Sequence, residues 1–186
     1  MKRFIVPAFA LMACVGLAVA EEKKSKVESG LEEGASPAAF NVKDITGPSA
    51  GKSLCYRCQY GAKPVAVVFT REVTDEVAKL VKEIDNSVGE NKDKNMCAFV
   101  VLLTDDADAG AKELKKLAEE HKIANTPLTV FDGEAGPESY KISKDAAVNV
   151  MMWNKSRVAV NHAFADAKLA EADVKKIAEE TSKILK

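Results

Sequence analysis

A Cys-x-x-Cys motif, Cys55-Tyr56-Arg57-Cys58, is the feature of this sequence that is best suited to chemistry. Two cysteines at this spacing place their sulfur atoms close enough to form a disulfide or to supply half of a tetrahedral metal site. In thiol–disulfide exchange one sulfur attacks the partner and the other resolves the mixed disulfide. We expect Cys55 to be the attacking sulfur. The positive charges of Arg57 and Lys63 favour the thiolate form. The next residue is Gln59, so the motif lacks the histidine of a haem-attachment site.

Two apolar runs that follow the motif, Val65–Thr70 and Cys97–Leu103, are typical of strands buried on both faces of a sheet. Between them, an apolar stripe at helical spacing begins after Thr74 and predicts an amphipathic helix. A second amphipathic helix follows the second run and ends near His121. Because right-handed crossovers join such strands, the two runs are expected to lie side by side and parallel.

The remaining elements complete an α/β pattern. Phe40–Ile45 alternates as a short strand, and Pro127–Phe131 is an extended segment. Val148–Trp153 and Arg157–Phe164 flank a hairpin turn, and Leu169–Leu185 is the closing helix. The sequence therefore predicts the α/β class, with a central mixed β-sheet flanked by helices.

Three motifs in order resemble the redoxin and peroxiredoxin-like branch of the thioredoxin superfamily: F-N-V-K-D-I-T-G before G-K-x-L, the run K-P-V-A-V-V-F, and L-A-E-E-H-K-I before N-T-P-L-T-V-F. The resemblance covers residues 38–186 and implies a thioredoxin-like fold. If Pro127 were the family's cis-proline, the hairpin should follow within a few residues. The peroxiredoxin-like register fits better, with Pro127–Phe131 as an extra segment and the cis-proline position near Asp145 or Ala146, where no proline stands.

The resemblance also shows what is missing. In this family the reactive cysteine follows the first buried parallel strand and lies at a helix N-terminus, which stabilises a thiolate. The corresponding stretch here, residues 69–75, contains no cysteine, so peroxidase activity is not expected. Arg71 is expected to cover the start of the helix and to pair with Glu72 or Asp75.

Strand direction predicts which chemical residues share one end of the sheet. Cys58 precedes the first buried strand, Cys97 begins the second, and His121 ends a helix that runs back to the same end. One hypothesis is a cluster of Cys55, Cys58, Cys97 and His121 that is redox-active or binds zinc or copper. The alternative is a Cys55–Cys58 disulfide with Cys97 in the core and His121 at a helix end, which exported proteins favour. No cofactor is required for thiol exchange.

The N-terminus predicts export. Residues 1–20 combine a positive start, an apolar stretch and an A-x-A site, which indicates a signal peptide, with a lipoprotein attached through Cys14 as the alternative. Residues 21–37 are polar and are expected to form a flexible tether, and residues 38–186 form the domain. The location is therefore predicted to be periplasmic or extracellular, without stable membrane insertion after cleavage.

Composition limits the function classes. The chain has 186 residues, of which 47% are hydrophobic and 30% charged, so one full core is expected and disorder is excluded. A net charge of −1 gives no electrostatic reason for nucleic-acid binding. The first function hypothesis is thiol–disulfide exchange with a protein thiol partner through Cys55 and Cys58. The alternative is a non-catalytic thioredoxin-fold binding module with a structural disulfide or a Cys/His metal site.

Overall fold

The computed structural model describes residues 27–186, in which a seven-stranded sheet is flanked by helices. The predicted signal peptide, residues 1–20, and Cys14 lie outside the described residues. In chain order the elements are β1 Val42–Asp44, β2 Ser53–Leu54, α1 Tyr56–Tyr60, β3 Val65–Thr70, α2 Asp75–Glu90, β4 Cys97–Thr104, α3 Ala107–His121, β5 Leu128–Asp132, β6 Val148–Asn154, β7 Arg157–Phe164 and α4 Glu171–Glu180. Short 3₁₀ turns at Lys92–Lys94, Glu138–Tyr140 and Thr181–Lys183 complete the chain.

The sheet is mixed, with the strand order β2-β1-β5-β4-β3-β6-β7. β3 and β4 are parallel and in register from Val65 opposite Cys97 to Thr70 opposite Leu102, which confirms the predicted adjacency of the two buried runs. β5 is parallel to β4, whereas β6 is antiparallel to β3 and forms a hairpin with β7. The α/β class with a central mixed sheet is therefore confirmed.

The three long helices cover one face of the sheet. From β3 to β4 to β5 the chain moves across the sheet in a single direction. Two right-handed crossovers therefore place α2 and α3 on the same side of the sheet. The predicted stripe of α2 is buried there, including Ile84 with 1% of its surface exposed. The opposite face is covered by α1, the N-terminal segment and the loop that follows β5. Each face therefore has its own apolar core.

The register of the second half of the chain agrees with the peroxiredoxin-like alternative. The extended segment after Pro127 forms β5, which lies between β4 and β1. β6, the antiparallel partner of β3, begins only at Val148 and follows Ala146 and Ala147. The backbone N–H of Arg71 donates to the Ala147 carbonyl at 3.1 Å, so this loop lies at the end of β3.

Residues 21–37 are expected to form a flexible tether, but from Ser29 onward this segment packs against the domain. Leu31 is 7% exposed and inserts into the core beneath α1. The backbone N–H of Gly30 donates to Lys141, and that of Gly34 donates to Val158, at 3.0 and 2.8 Å. A single buried leucine and backbone pairing with a sheet edge fix this segment, although its average composition is polar. Between residues 27 and 186 the helices are too short or too polar to span a lipid bilayer.

Candidate redox site

The Cys-x-x-Cys motif forms a disulfide at the start of α1. Cys55 and Cys58 are joined with their Cα atoms 5.2 Å apart. Cys55 is the N-cap of the helix, and its Sγ accepts a hydrogen bond from the backbone N–H of Cys58 at 3.0 Å. Cys58 is exposed to solvent, whereas Cys55 is half-buried. Cys58 is therefore the more exposed of the two residues.

The residue between the cysteines that faces inward, Tyr56, anchors this helix. It is 1% exposed, its ring stacks on Phe99 with centroids 5.6 Å apart, and its hydroxyl donates to the Asp44 carboxylate at 2.8 Å. The same carboxylate accepts the backbone N–H groups of Gly47 and Ser49, each at 2.8 Å. Burial, followed by the hydrogen bond with Asp44, raises the pKa of Tyr56. Three donors thus satisfy a fully buried carboxylate beneath the disulfide.

Sequence analysis did not find Asp44 as part of this site. The signal was present, because Asp44 precedes the turn residues Gly47 and Pro48, and aspartate commonly accepts backbone N–H groups in such turns. Asp44 and Tyr56 are twelve positions apart in the sequence, so the local residue pattern does not predict their contact. Asp44 links the β1–β2 turn to α1 and so sets the position of the disulfide.

Two further side chains hold α1 in place. The Arg57 guanidinium donates to the Pro37 carbonyl at 2.8 Å, which keeps its charge beside the disulfide. The Tyr60 hydroxyl donates to the Ala98 carbonyl at 3.3 Å, and burial raises the pKa of Tyr60. α1 is therefore fixed at both ends by contacts that do not involve the disulfide itself.

Cys97 lies at the same end of the sheet but beneath α1. It begins β4 opposite Val65, is half-buried, and packs with the core that contains Tyr60. Burial raises the pKa of the Cys97 thiol, and the nearby Lys63 opposes this shift only in part. Cys58 lies two residues before Tyr60 on α1, so it faces away from the side that covers Cys97. Cys97 is thus a half-buried thiol at the start of β4.

The metal cluster predicted as an alternative is not formed. Cys97 faces the core under α1, whereas His121 ends α3, which packs on the opposite face of the sheet. His121 lies instead near Thr74 and Lys116. In the described part of the chain no three His, Cys, Asp or Glu side chains are arranged to hold a metal ion such as zinc or copper. The sequence argument placed Cys97 correctly at the start of β4, but it did not predict that His121 lies on the other face of the sheet.

In the resembling family the reactive cysteine follows the first buried parallel strand. In this protein the side chain of Arg71 closes that region by binding backbone carbonyls. Arg71 follows β3, but it does not pair with Glu72 or Asp75 as expected. Its guanidinium donates to the backbone carbonyls of Glu134, at 3.1 Å, and Ala146. Burial lowers the pKa of Arg71, and the charge of Glu134 opposes this shift. Arg71 therefore joins two loops at the end of the sheet opposite to the disulfide.

No family model matches the chain, and no curated protein matches its sequence. Solved structures do resemble it. They include a thiol:disulfide interchange protein DsbE from Chlorobium tepidum, with 14% identity, a TM-score of 0.64, and coverage of 84% of this chain and 99% of that one. The thioredoxin domain of a thiol-disulfide oxidoreductase from Bacteroides vulgatus has 18% identity, a TM-score of 0.59, and coverage of 81% and 97%. Peroxidoxin BcpB from Mycobacterium tuberculosis has 14% identity, a TM-score of 0.60, and coverage of 84% and 99%.

These similarities define the fold class. The chain has a thioredoxin-like fold of the kind shared by thiol:disulfide interchange proteins and peroxiredoxins. At such low identity the comparison describes the architecture and not the chemistry. The chemistry must be argued from the Cys55–Cys58 disulfide and its surroundings.

Proposed function

We propose that this protein is a thiol–disulfide exchange protein whose redox pair is Cys55 and Cys58. The observation that carries the proposal is an exposed Cys-x-x-Cys disulfide on a thioredoxin-like fold, with Cys58 open to solvent. A partner thiolate attacks the Cys58 sulfur, and Cys55 leaves as a thiolate that the Cys58 N–H stabilises. This assignment replaces the expectation that Cys55 is the attacking sulfur, because Cys55 is the less accessible of the two.

A purely structural role for the disulfide has less support. The two cysteines are three residues apart, and in the chain-entropy model so short a loop stabilises the fold by only about 2 kcal/mol. α1 is already held by the contacts of Tyr56, Arg57 and Tyr60. The position of α1 therefore does not depend on the disulfide alone.

A second candidate function follows from the closed arrangement around Arg71. Since the family's usual catalytic end is sealed by backbone contacts, the protein could serve as a non-catalytic binding module with a structural disulfide. The predicted signal peptide at residues 1–20 and the disulfide agree with an oxidising compartment, so a periplasmic or extracellular location is part of the proposal.

Reduction of insulin by dithiothreitol, followed by turbidity, separates the two functions. We expect the protein to accelerate this reaction, the Cys58→Ser variant to lose the acceleration, and the matched Cys97→Ser variant to retain it. Cys55→Ser should instead accumulate a mixed disulfide at Cys58, visible by mass spectrometry. Equal rates with and without the wild-type protein would favour the binding module.

A further inference from the structure

The surface around the disulfide is basic, although the whole chain carries a net charge of −1. Between Asp44 and Glu72 the sequence contains no acidic residue. Lys52 precedes the disulfide by three residues, and Lys63 lies in the turn that follows α1. Asp44 itself is buried against Tyr56, so its charge does not reach the surface next to Cys58.

A second segment adds to this basic surface. The β6–β7 turn docks beside the end of α1, where the Lys155 N–H donates to the Ala62 carbonyl at 3.0 Å and the Ser156 hydroxyl to Gly61 at 3.5 Å. Lys155 is exposed and so joins Lys63 at the same edge. Within residues 27–186, no ion pair includes Lys52, Lys63 or Lys155, so these charges are not neutralised by a neighbour.

The opposite end of the sheet has the opposite charge. Each of the parallel strands β3, β4 and β5 ends in or is followed by exposed carboxylates, which include Glu72, Asp75, Asp105, Asp106, Asp132 and Glu134. On the disulfide side, Glu90 and Asp93 stand beside Lys92 and Lys94, and Glu32 and Glu33 precede Gly34, whose carbonyl accepts a hydrogen bond from Arg157. Exposed carboxylates are therefore concentrated beyond the ends of β3, β4 and β5, and exposed lysines in the segments next to Cys58. Lysines placed in this way attract anionic groups toward Cys58.

We propose that the thiol partner of Cys58 is a polypeptide segment with carboxylates on both sides of its cysteine. This inference rests on the proposed function and names its substrate class. Lys52, Lys63 and Lys155 lie on three separate segments around α1. A partner that meets all three must extend beyond a single small molecule, which favours an acidic peptide segment.

The exchange balances as follows. The thiolate of the partner forms a bond with the Cys58 sulfur, the Cys55–Cys58 bond breaks, and Cys55 leaves as a thiolate. A second thiolate, from another cysteine of the partner or from a second partner molecule, then attacks the mixed disulfide and releases the Cys58 thiolate. The partner is oxidised to a disulfide by loss of two electrons, the Cys-x-x-Cys pair is reduced to two thiols, and the protons of the partner thiols pass through solvent.

The experiment uses three short acetylated peptides with a central cysteine flanked by glutamates, glutamines or lysines. The rate at which each peptide reduces the Cys55–Cys58 disulfide is divided by its rate with the uncharged disulfide of 2-mercaptoethanol, which removes differences in thiol pKa. At about 0.01 M ionic strength we expect the glutamate peptide to exceed the lysine peptide about tenfold. At about 1 M the ratio should approach one, because charges are then screened within about 3 Å.

The double variant Lys63→Glu/Lys155→Glu should remove the preference for the glutamate peptide. The matched control Lys112→Glu/Lys115→Glu makes the same change of net charge on exposed positions of α3 and should keep it. The rates of each variant with the glutamate and lysine peptides are divided by its own rate with the glutamine peptide, which removes any change in the redox site itself, including an effect of Lys63 on the thiolate. Equal normalised rates for the three peptides with the wild type overturn this inference and leave the proposed function standing. If no peptide reduces the disulfide, the proposed function fails and this inference fails with it.

Discussion

The Tyr56 hydroxyl lies 2.8 Å from the carboxylate of Asp44, and this hydrogen bond joins the helix that carries the disulfide to the first strand of the sheet. Both residues are almost completely buried, with 1% and 0% of their surfaces exposed. The position of Cys55 and Cys58 is therefore set from beneath the helix rather than by the disulfide.

Removing this hydroxyl should destabilise the protein. Tyr56→Phe keeps the ring but leaves the buried carboxylate of Asp44 with one donor fewer, which costs about 1–3 kcal/mol. Urea unfolding should show the loss as a lower midpoint. Tyr60→Phe is the matched control, because its hydroxyl makes a longer bond, 3.3 Å, to a backbone carbonyl and should cost less. If the two variants had equal stability, the Asp44 contact would have no special role.

The tyrosines should resist ionisation in the folded protein. All three are affected, because burial raises the pKa of Tyr56, Tyr60 and Tyr140. A raised pKa means that the folded state holds these protons more tightly, so the stabilisation is present below about pH 10 and is lost as the pH rises further. The absorbance of tyrosinate at 295 nm should appear only together with alkaline unfolding. A smooth titration near pH 10 in the folded protein would contradict this.

The N-terminal segment should depend on Gly30 more than on Gly34. Both glycines have positive φ, 87° and 84°, which costs an L-residue about 1–2 kcal/mol. A Cβ at Gly30 would also meet the Asn161 Oδ1 atom at 2.5 Å, whereas one at Gly34 meets nothing within 4 Å. Gly30→Ala should therefore release the segment to limited proteolysis, and Gly34→Ala should do so much less. Equal cleavage of the two variants would argue against tight docking at Gly30.

Hydrogen peroxide should not be consumed at a significant rate. The stretch that carries the peroxidatic cysteine in the resembling family, residues 69–75 here, contains no cysteine, and the guanidinium of its Arg71 is bound to backbone carbonyls. Within residues 27–186 the free thiol, Cys97, is half-buried and its pKa is raised by burial, which lowers its thiolate fraction. Rapid peroxide turnover that Cys58→Ser abolishes would show instead that the Cys-x-x-Cys pair is a peroxidase site.

Sequence patterns predicted the sheet well, because burial on both faces leaves a direct record in the residues. The apolar runs at β3 and β4 implied parallel neighbours, and the register of Val65 opposite Cys97 agrees. The same register places Cys97 at the start of β4, away from Arg71, which follows the end of β3.

Contacts between distant segments were not predictable in the same way. The sequence placed His121 at the end of the correct helix, but it did not show that this helix lies on the face of the sheet opposite to Cys97. That face depends on the direction in which the crossovers pass over the whole sheet. The docking of Leu31 and the bond between Asp44 and Tyr56 join residues whose local sequences are polar or ordinary. The average composition of a polar segment does not reveal that one of its side chains, such as Leu31, is buried.

The central claim is that the Cys55–Cys58 pair exchanges electrons with a partner, and its reduction potential tests that claim most directly. The potential is measured by equilibrating the Cys97→Ser variant in glutathione or dithiothreitol buffers and quantifying free thiols by alkylation and mass. We predict a value in the range of catalytic dithiols, roughly −270 to −120 mV. A potential below about −300 mV would identify a structural disulfide and contradict the proposed function.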